Sequence, residues 1–433
     1  MRPGTLDLSM SHAYLIEGGR PLHGEVACSG AKNSALKLLA ASLLAPGTHT
    51  LGRVPDLDDV TGMSEVLRHL GADVTRENGS LGITVPDKLG TEAPYEFVSR
   101  MRASTAVLGP LLAREGRARV ALPGGCNLGP RRIDLHLKGL EQLGADIRVV
   151  HGFIEASCDR LRGAAINLDY PSHGATENLL MAGVLAEGRT VIENASREPE
   201  IVDLAQFLER MGAHVRGAGT NVVEIEGVDG LRAASLDVMP DRLEAGTFLL
   251  AARATGGDVT VTSIDPSHLE IVLTKLEETG AVIETGTDRV RIQADGRPKA
   301  TDISTLPYPG FPTDLQPIAV AMLARADGLS IVTENIFDAR FFYTDELARM
   351  GADVRVEGHY AVVRGTEELL GAPVRAPDIR AGAALVVAGL AADGRTIVED
   401  IIHIDRGHED LEGKLAGLGA DIRRVSAPVP SPA

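Results

Sequence analysis

The residues best suited to chemistry sit in short loops that open apolar helices. The stretch "LPGGCNLGPRR" sets Cys126 behind two glycines and follows it with Arg131 and Arg132. Neighbouring fixed cations lower a thiol's pKa from about 8.5 and make it reactive. "SGAKNSALKLLAA" puts Lys32 and Asn33 at a helix start. Backbone N–H groups and the helix dipole favour an anion there. A lysine opposes that dipole, so a ligand anion is expected between the two. Arg102 in "MRASTAVLGPLL", Asp314 in "LPYPGFPTDLQPIAVAML" and Arg380 in "DIRAGAALVVAGL" repeat the placement, and Arg406 lies in "IIHIDRGHED". Guanidinium forks match phosphate and carboxylate groups. Charges at repeat-related helix starts predict one shared cleft for an anionic substrate, with Cys126 as its reactive thiol. His136, His403 and His408 are less decisive. No HExxH or other paired-ligand spacing occurs, so no catalytic metal is expected. Neither a Walker loop nor a strand-GxGxxG-helix fingerprint appears, which argues against ATP or NAD chemistry.

Composition narrows the class. A chain of 433 residues is long for one core and predicts two domains. Apolar residues make up 44% and aromatics 3%, as in a globular, Ala/Leu/Val/Gly-rich interior. The formal charge of −17 disfavours nucleic acid as a partner. An anionic substrate then needs a locally basic cleft within an acidic body. Cys28, Cys126 and Cys158 fit neither a disulfide framework nor a zinc spacing, so a cytoplasmic location is expected. "MRPGTLDLSMSHAYLIEGG" has no signal-peptide pattern, and "AGAALVVAGLAA" is far short of a membrane span.

The elements that must hold these residues form a sixfold repeat. "VLRHLGADV", "GLEQLGADI", "FLERMGAHV", "KLEETGAVI", "ELARMGADV" and "KLAGLGADI" carry Gly71, Gly144, Gly212, Gly280, Gly351 and Gly419, roughly 70 residues apart. Each reads as an amphipathic helix, a Gly C-cap and a strand start. A second helix-Gly-strand pattern recurs upstream, as in "VLAEGRTVIE" and "LAADGRTIVE". The helices "ALKLLAASLLA", "STAVLGPLLA", "ATENLLMAGVLA" and "AGAALVVAGLAA" are apolar on most faces and must be buried. The expected fold is α/β: two inside-out barrel-like domains of three repeats each, helices inside and sheets outside. The default ligand site is a cleft between the lobes.

"SGAKNSALKLLAASLLAPG", "RASTAVLGPLLAR", "LPGGCNLGPRRIDLHLKGLEQLGA", "GATENLLMAGVLAEG", "ENASREPEIVD", "FPTDLQP", "TENIFDARF" and "DRGHEDLEGKL" together resemble the enolpyruvyl transferase family, from about Gly19 to Val425. The resemblance implies the fold of 5-enolpyruvylshikimate-3-phosphate synthase. It implies one domain of residues 1–31 and 240–433, carrying Asp314, Arg380 and Arg406, and another of residues 32–239, carrying the Cys126 loop. The implied reaction moves the enolpyruvyl group of phosphoenolpyruvate onto a uridine nucleotide, UDP-N-acetylglucosamine, for peptidoglycan synthesis. It runs by addition and elimination through a tetrahedral intermediate, with no metal or organic cofactor.

Site roles follow from the same resemblance. Lys32, Arg131 and Arg406 match residues that hold phosphoenolpyruvate; Arg380 matches a carboxylate-binding arginine, and Arg102 a further arginine of the cleft. Cys126 matches the loop cysteine that protonates the methylene carbon or aids product release, and that fosfomycin alkylates. Asp314 matches the base at the acceptor hydroxyl, and Asn33 a contact to the acceptor sugar. Arg131, Arg132, Ile133 and Asp134, then Ser172, His173 and Gly174, and Ile336 match nucleotide-binding segments. Two departures fall there. The family usually reads Arg-Pro where this chain has Arg131-Arg132, and Ser-Val-Gly where it has Ser172-His173-Gly174. His408 stands where Tyr is common. Three readings stay open: UDP-N-acetylglucosamine as acceptor, another uridine nucleotide such as UMP in nucleoside-antibiotic assembly, or a non-catalytic UDP-sugar-binding regulator.

Overall fold

Glycines in the left-handed region punctuate the whole chain. Gly71, Gly144, Gly212, Gly280, Gly351 and Gly419, the ends of the six repeat helices, have φ between 89° and 106°. The upstream set, Gly47, Gly116, Gly188, Gly256, Gly328 and Gly394, is likewise at positive φ. Only a residue without Cβ takes that conformation at little cost, so each repeat stops its helices twice and turns into a strand.

The computed structural model describes residues 11–98, 102–122, 133–338 and 340–427. Described residues within Met1–Cys28 and Arg242–Ala433 form one compact unit, and those within Ser29–Asp241 another. The first is called the discontinuous unit below, and the second the contiguous unit.

Six four-stranded sheets share one plan. In the contiguous unit, one sheet runs Ala165–Asn167, Arg189–Glu193, Val222–Glu226, His214–Arg216. Its first pair is parallel and the other two are antiparallel. Strand residues alternate: Ile192, Val223 and Ile225 are wholly buried while Arg189, Glu193 and Glu226 face water. Strand Ser235–Asp237, at the end of this unit, pairs in parallel with Gly47–Gly52 near its start. In the discontinuous unit, Ser11–Glu17 lies between Arg395–Glu399 and Asp421–Ala427, and His23–Ala27 pairs with Asp258–Thr262.

The helices fill the interiors, as the all-round apolar pattern requires. In the discontinuous unit, Arg242–Thr255, Gln316–Leu323 and Ile379–Ala391 pack on one another, and every residue of Gln316–Leu323 is buried. In the contiguous unit, Leu108–Glu115 packs on His173–Gly183, and Lys32–Ser42 packs on Asp58–His69 and Pro199–Met211. These are inside-out α/β units with helices within and sheets outside.

Candidate active site

The discontinuous unit builds a charged cluster around Asp314. This residue lies in a 3-10 turn, Thr313–Leu315, that leads into Gln316–Leu323. The α-helix begins later than the sequence pattern predicts, with Pro317 in its first turn, where a missing N–H costs nothing. Asp314 Oδ1 lies 2.9 Å from Arg340, and its Oδ2 accepts from Arg380 Nε at 3.0 Å. Both guanidiniums are almost wholly buried, at 2% and 5% exposure, whereas the Asp314 side chain keeps 28%. The carboxylate is therefore gripped from inside the protein and open on its other side.

Each arginine is fixed in turn. Asp378 caps the helix Ile379–Ala391, accepting from the backbone N–H of Arg380 at 2.7 Å and Ala381 at 2.9 Å. Gly407 lets the loop bearing Arg406 pass close by, since a Cβ there would lie 2.1 Å from Ile379 Cγ2. His408 Nε2 approaches Arg380 at 3.5 Å. Arg340 also donates to Thr313 Oγ1 at 3.0 Å. Thr313 and Thr305 donate to the two oxygens of Glu334, each at 2.9 Å, and Glu334 Oε1 accepts from the N–H groups of Ile336 and Phe337. Burial works against the Arg340 charge; Asp314, Asp378 and Glu334 outweigh it and hold its pKa above the ordinary guanidinium value.

The contiguous unit builds a second cluster at two helix starts. Lys32 opens the helix Lys32–Ser42 and is buried, with Nζ 3.1 Å from the buried Asp59 Oδ2. Its backbone N–H donates to Asp241 Oδ2 at 3.2 Å. The anion expected beside this lysine is thus, in this structure, Asp59 of a neighbouring helix. Asn33 follows, partly buried.

Ser172 caps the helix His173–Gly183, its Oγ accepting from Ala175 N–H at 3.3 Å. His173 Nε2 lies 3.0 Å from Glu177 Oε1, and Lys37 Nζ pairs with Glu177 Oε2. Burial raises the Glu177 pKa, but His173 and Lys37 overcome this and bring it down to about 2. For His173, burial disfavours the charge, Glu177 more than compensates, and the pKa rises to about 9.

Asn178 locks the adjoining histidine. Its amide donates to Thr105 O and to His136 Nδ1, both at 2.9 Å, and its oxygen accepts from Gly109 N–H at 2.7 Å. Nδ1 of His136 is then the acceptor, so Nε2 carries the proton. A Cβ on Gly174 would meet His136 Cε1 at 3.0 Å, so glycine is what admits the ring to this helix start. Burial pushes the His136 pKa down to about 4.

The structure brings Asp314 and Arg380 together, with Ile336 on the Glu334 loop that braces them. Arg406 ends the short helix Ile402–Asp405. Ile133 and Asp134 open the helix that carries His136, beside Ser172, His173 and Gly174. Arg102 begins the 3-10 turn Arg102–Val107, ahead of the helix expected to start there. Cys126, Arg131 and Arg132 lie outside the described residues. Sequence reasoning missed Arg340, Glu334, Asp59, Lys37 and Glu177. One signal existed: Glu334 and Arg340 both fall within "TENIFDARF", six residues apart. Glu177 is a charged residue within an apolar helix, "GATENLLMAGVLAEG", and a buried charge demands partners.

Each inside-out α/β unit thus carries a cluster of buried, paired charges at the starts of its helices, the architecture of an α/β enzyme family. The family described as EPSP synthase (3-phosphoshikimate 1-carboxyvinyltransferase) matches residues 16–415, and the chain belongs to this family of enolpyruvyl transferases. Among its relatives, a UDP-N-acetylglucosamine 1-carboxyvinyltransferase 2 of Carboxydothermus hydrogenoformans is 55% identical over 95% of this chain and 99% of its own length. The UDP-N-acetylglucosamine 1-carboxyvinyltransferase of Corynebacterium jeikeium is 51% identical over 96% of this chain and 100% of its own. Among solved structures, the enolpyruvyl transferase NikO from Streptomyces tendae matches with a TM-score of 0.87 and 25% identity, over 97% of this chain and 100% of that one. EPSP synthase from Acinetobacter baumannii shares the fold, with a TM-score of 0.73 at 19% identity, over 96% of this chain and 100% of that one.

Proposed function

We propose that this enolpyruvyl transferase moves the enolpyruvyl group of phosphoenolpyruvate onto the 3-hydroxyl of UDP-N-acetylglucosamine, making a peptidoglycan precursor in the cytoplasm. One observation carries the acceptor: relatives 51–55% identical over nearly the whole chain bear that activity in their names. Among the described residues, no helix is long and apolar enough to cross a membrane.

The chemistry needs a base for the hydroxyl, an acid for the methylene carbon and cations for the phosphate and carboxylate. Asp314 takes the hydroxyl proton, and the acceptor oxygen bonds to C2 of phosphoenolpyruvate. Cys126 gives a proton to C3, which becomes a methyl group. The Cys126 thiolate then takes back a methyl proton, the C3–H electron pair restores the C2–C3 double bond, and phosphate leaves with the pair of its own C2–O bond. Lys32, Arg131 and Arg406 hold the phosphate, Arg102 assists, and Arg380 takes the carboxylate. Asn33, Arg131, Arg132, Ile133, Asp134, Ser172, His173, Gly174 and Ile336 hold the acceptor.

The Asp314 geometry supports its part. Arg380 grips Asp314 Oδ2 at 3.0 Å, so a substrate carboxylate sharing that guanidinium loosens its hold on the base. Arg340 still fixes Oδ1, keeping the carboxylate aimed.

A phosphate-release assay with phosphoenolpyruvate, run in parallel with UDP-N-acetylglucosamine and UMP, tests the proposal. Release with UDP-N-acetylglucosamine supports it. Release with UMP alone replaces the acceptor, a reading favoured by the extra cationic residue His173 at a helix start. No release with either overturns both acceptors and favours an untested acceptor or a binding-only role.

A further inference from the structure

We propose that Arg424 is a positioning residue for phosphoenolpyruvate, clamping both ends of the loop that carries Arg406 and so fixing where that guanidinium sits. This rests on the assignment of Arg406 to the substrate phosphate. The loop runs between two short helices, Ile402–Asp405 and Leu411–Gly417. Asp405, the residue before Arg406, is gripped by the Arg424 fork: Nη2 donates to Oδ1 at 2.7 Å and Nη1 to Oδ2 at 3.0 Å. A two-pronged pair of this kind fixes direction as well as distance. At the other end, Glu412 Oε1 accepts from the backbone N–H of Arg424 at 2.8 Å. One residue of the strand Asp421–Ala427 thus holds the chain on both sides of residues 406–411.

The loop depends on such a hold. Ile402–Asp405 is a single turn, and one turn of helix is unstable alone. Its inner side is anchored by Ile401 and Ile404, which are wholly buried. Gly407 then passes so close to the start of the helix Ile379–Ala391 that a Cβ would lie 2.1 Å from Ile379 Cγ2 and 3.8 Å from Arg380 Nη1. The outer side is held by Arg424, which is itself fixed. Tyr14 is its cross-strand partner and is almost wholly buried. The Tyr14 hydroxyl accepts from Arg424 Nη2 at 3.3 Å, and the guanidinium carbon lies 5.4 Å from the ring centre. The loop is therefore suspended between the Arg380 helix start and the Arg424 clamp. This suspension sets the spacing of Arg380 and Arg406, the two cations assigned to the carboxylate and phosphate of one substrate, and a small error in such spacing is costly.

The charge of Asp405 gives the clamp a diagnostic sign. A carboxylate next to a phosphate-binding arginine repels the substrate, so by charge alone its removal should tighten phosphoenolpyruvate binding. As the handle of a clamp, its removal should loosen that binding instead.

Phosphate-release kinetics on the full chain, with the KM of phosphoenolpyruvate and of UDP-N-acetylglucosamine measured separately, tests this. Asp405→Asn keeps the shape of the side chain but offers the fork one acceptor. It should raise the phosphoenolpyruvate KM about tenfold and leave the acceptor KM unmoved. Arg424→Gln should do the same, and Arg424→Lys should recover little of the loss, because an ammonium supplies the charge without the fork. A lowered or unmoved phosphoenolpyruvate KM in Asp405→Asn overturns the proposal, and this variant decides the matter even where an Arg424 variant does not fold. Full recovery in Arg424→Lys overturns it too, since charge alone would then suffice. An equal rise in both KM values, or a fall in kcat with both unmoved, marks a merely structural role and likewise overturns it. A parent chain that neither binds nor turns over phosphoenolpyruvate overturns the assignment of Arg406 itself, a result distinct from normal turnover that ignores Asp405.

Discussion

Arg340 shows how one buried side chain can organise a site. It joins Asp314 to the Glu334 loop through Thr313, and both acids offset the cost of burying its charge. Arg340→Met would leave buried anions without their counter-charge, so destabilisation on the order of 3 kcal/mol is expected in urea melts. Arg340→Lys should recover part of the stability but not the turnover, because an ammonium cannot serve two acceptors in one plane. Equal turnover in Arg340→Lys and the parent would refute the positioning role. The thiol assignment has a simpler check: Cys126→Ser should lose most phosphate release and fosfomycin sensitivity while keeping its circular dichroism, and unchanged inhibition would end the assignment. His136 gives a pH prediction with a definite sign. Its folded pKa is about 4, below the ordinary value near 6.5. Between those values the unfolded chain takes up the proton first, so stability present above pH 6.5 is lost as pH falls toward 4. His136→Gln should flatten that acid slope in urea midpoints measured from pH 7 to 5, and identical slopes would contradict it.

At the scale of elements, the glycines carry the fold's punctuation for backbone reasons. Gly212 has φ 106° and open space around its absent Cβ, so Gly212→Ala should cost about 1 kcal/mol from conformation alone. Gly62 lies inside the helix Asp58–His69, also with nothing near, so Gly62→Ala should stabilise by about 0.5–1 kcal/mol. Opposite signs in parallel denaturant titrations are the expected outcome; the same sign would refute the φ argument. This regularity is why the repeat was legible in the sequence: helix, glycine and strand alternate locally, with apolar residues in the phase each element demands. Lys32, Asp314 and Arg380 were legible as charges at the starts of apolar helices. Asp59 as the partner of Lys32 and Glu177 as the partner of Lys37 were not, because each of these pairs spans many residues. Asp59 meets Lys32 at a separation of 27 positions, and Glu177 meets Lys37 at 140. No local pattern records such a distance. The 3-10 turns before the helices of Arg102 and Asp314 were missed for another reason, since each runs without a break in sequence into the apolar helix that follows.

The whole molecule is asymmetric in how its two units are threaded. The contiguous unit has its own core, from Ala31 to Met239, and its last strand, Ser235–Asp237, completes the sheet of Gly47–Gly52. Among the described residues, every member of that core lies within residues 29–241. The other core draws on Tyr14, Ile16, Leu22, Val26 and Cys28 as well as residues after Arg242. Strand Ser11–Glu17 is central there, hydrogen-bonded on both edges. Losing it would open two ladders and expose Tyr14 and Ile16, which are almost wholly buried. The fragment of residues 29–241 should therefore unfold cooperatively in urea with dispersed amide resonances, whereas residues 242–433 alone should not. Appending residues 11–28 to the end of that second fragment through a flexible linker should restore its cooperativity, because the missing strand can re-enter its slot at high effective concentration. Cooperative unfolding of residues 242–433 without the strand would show that the discontinuous unit does not depend on its N-terminal segment. A non-cooperative 29–241 fragment would show that the contiguous core needs contacts beyond itself.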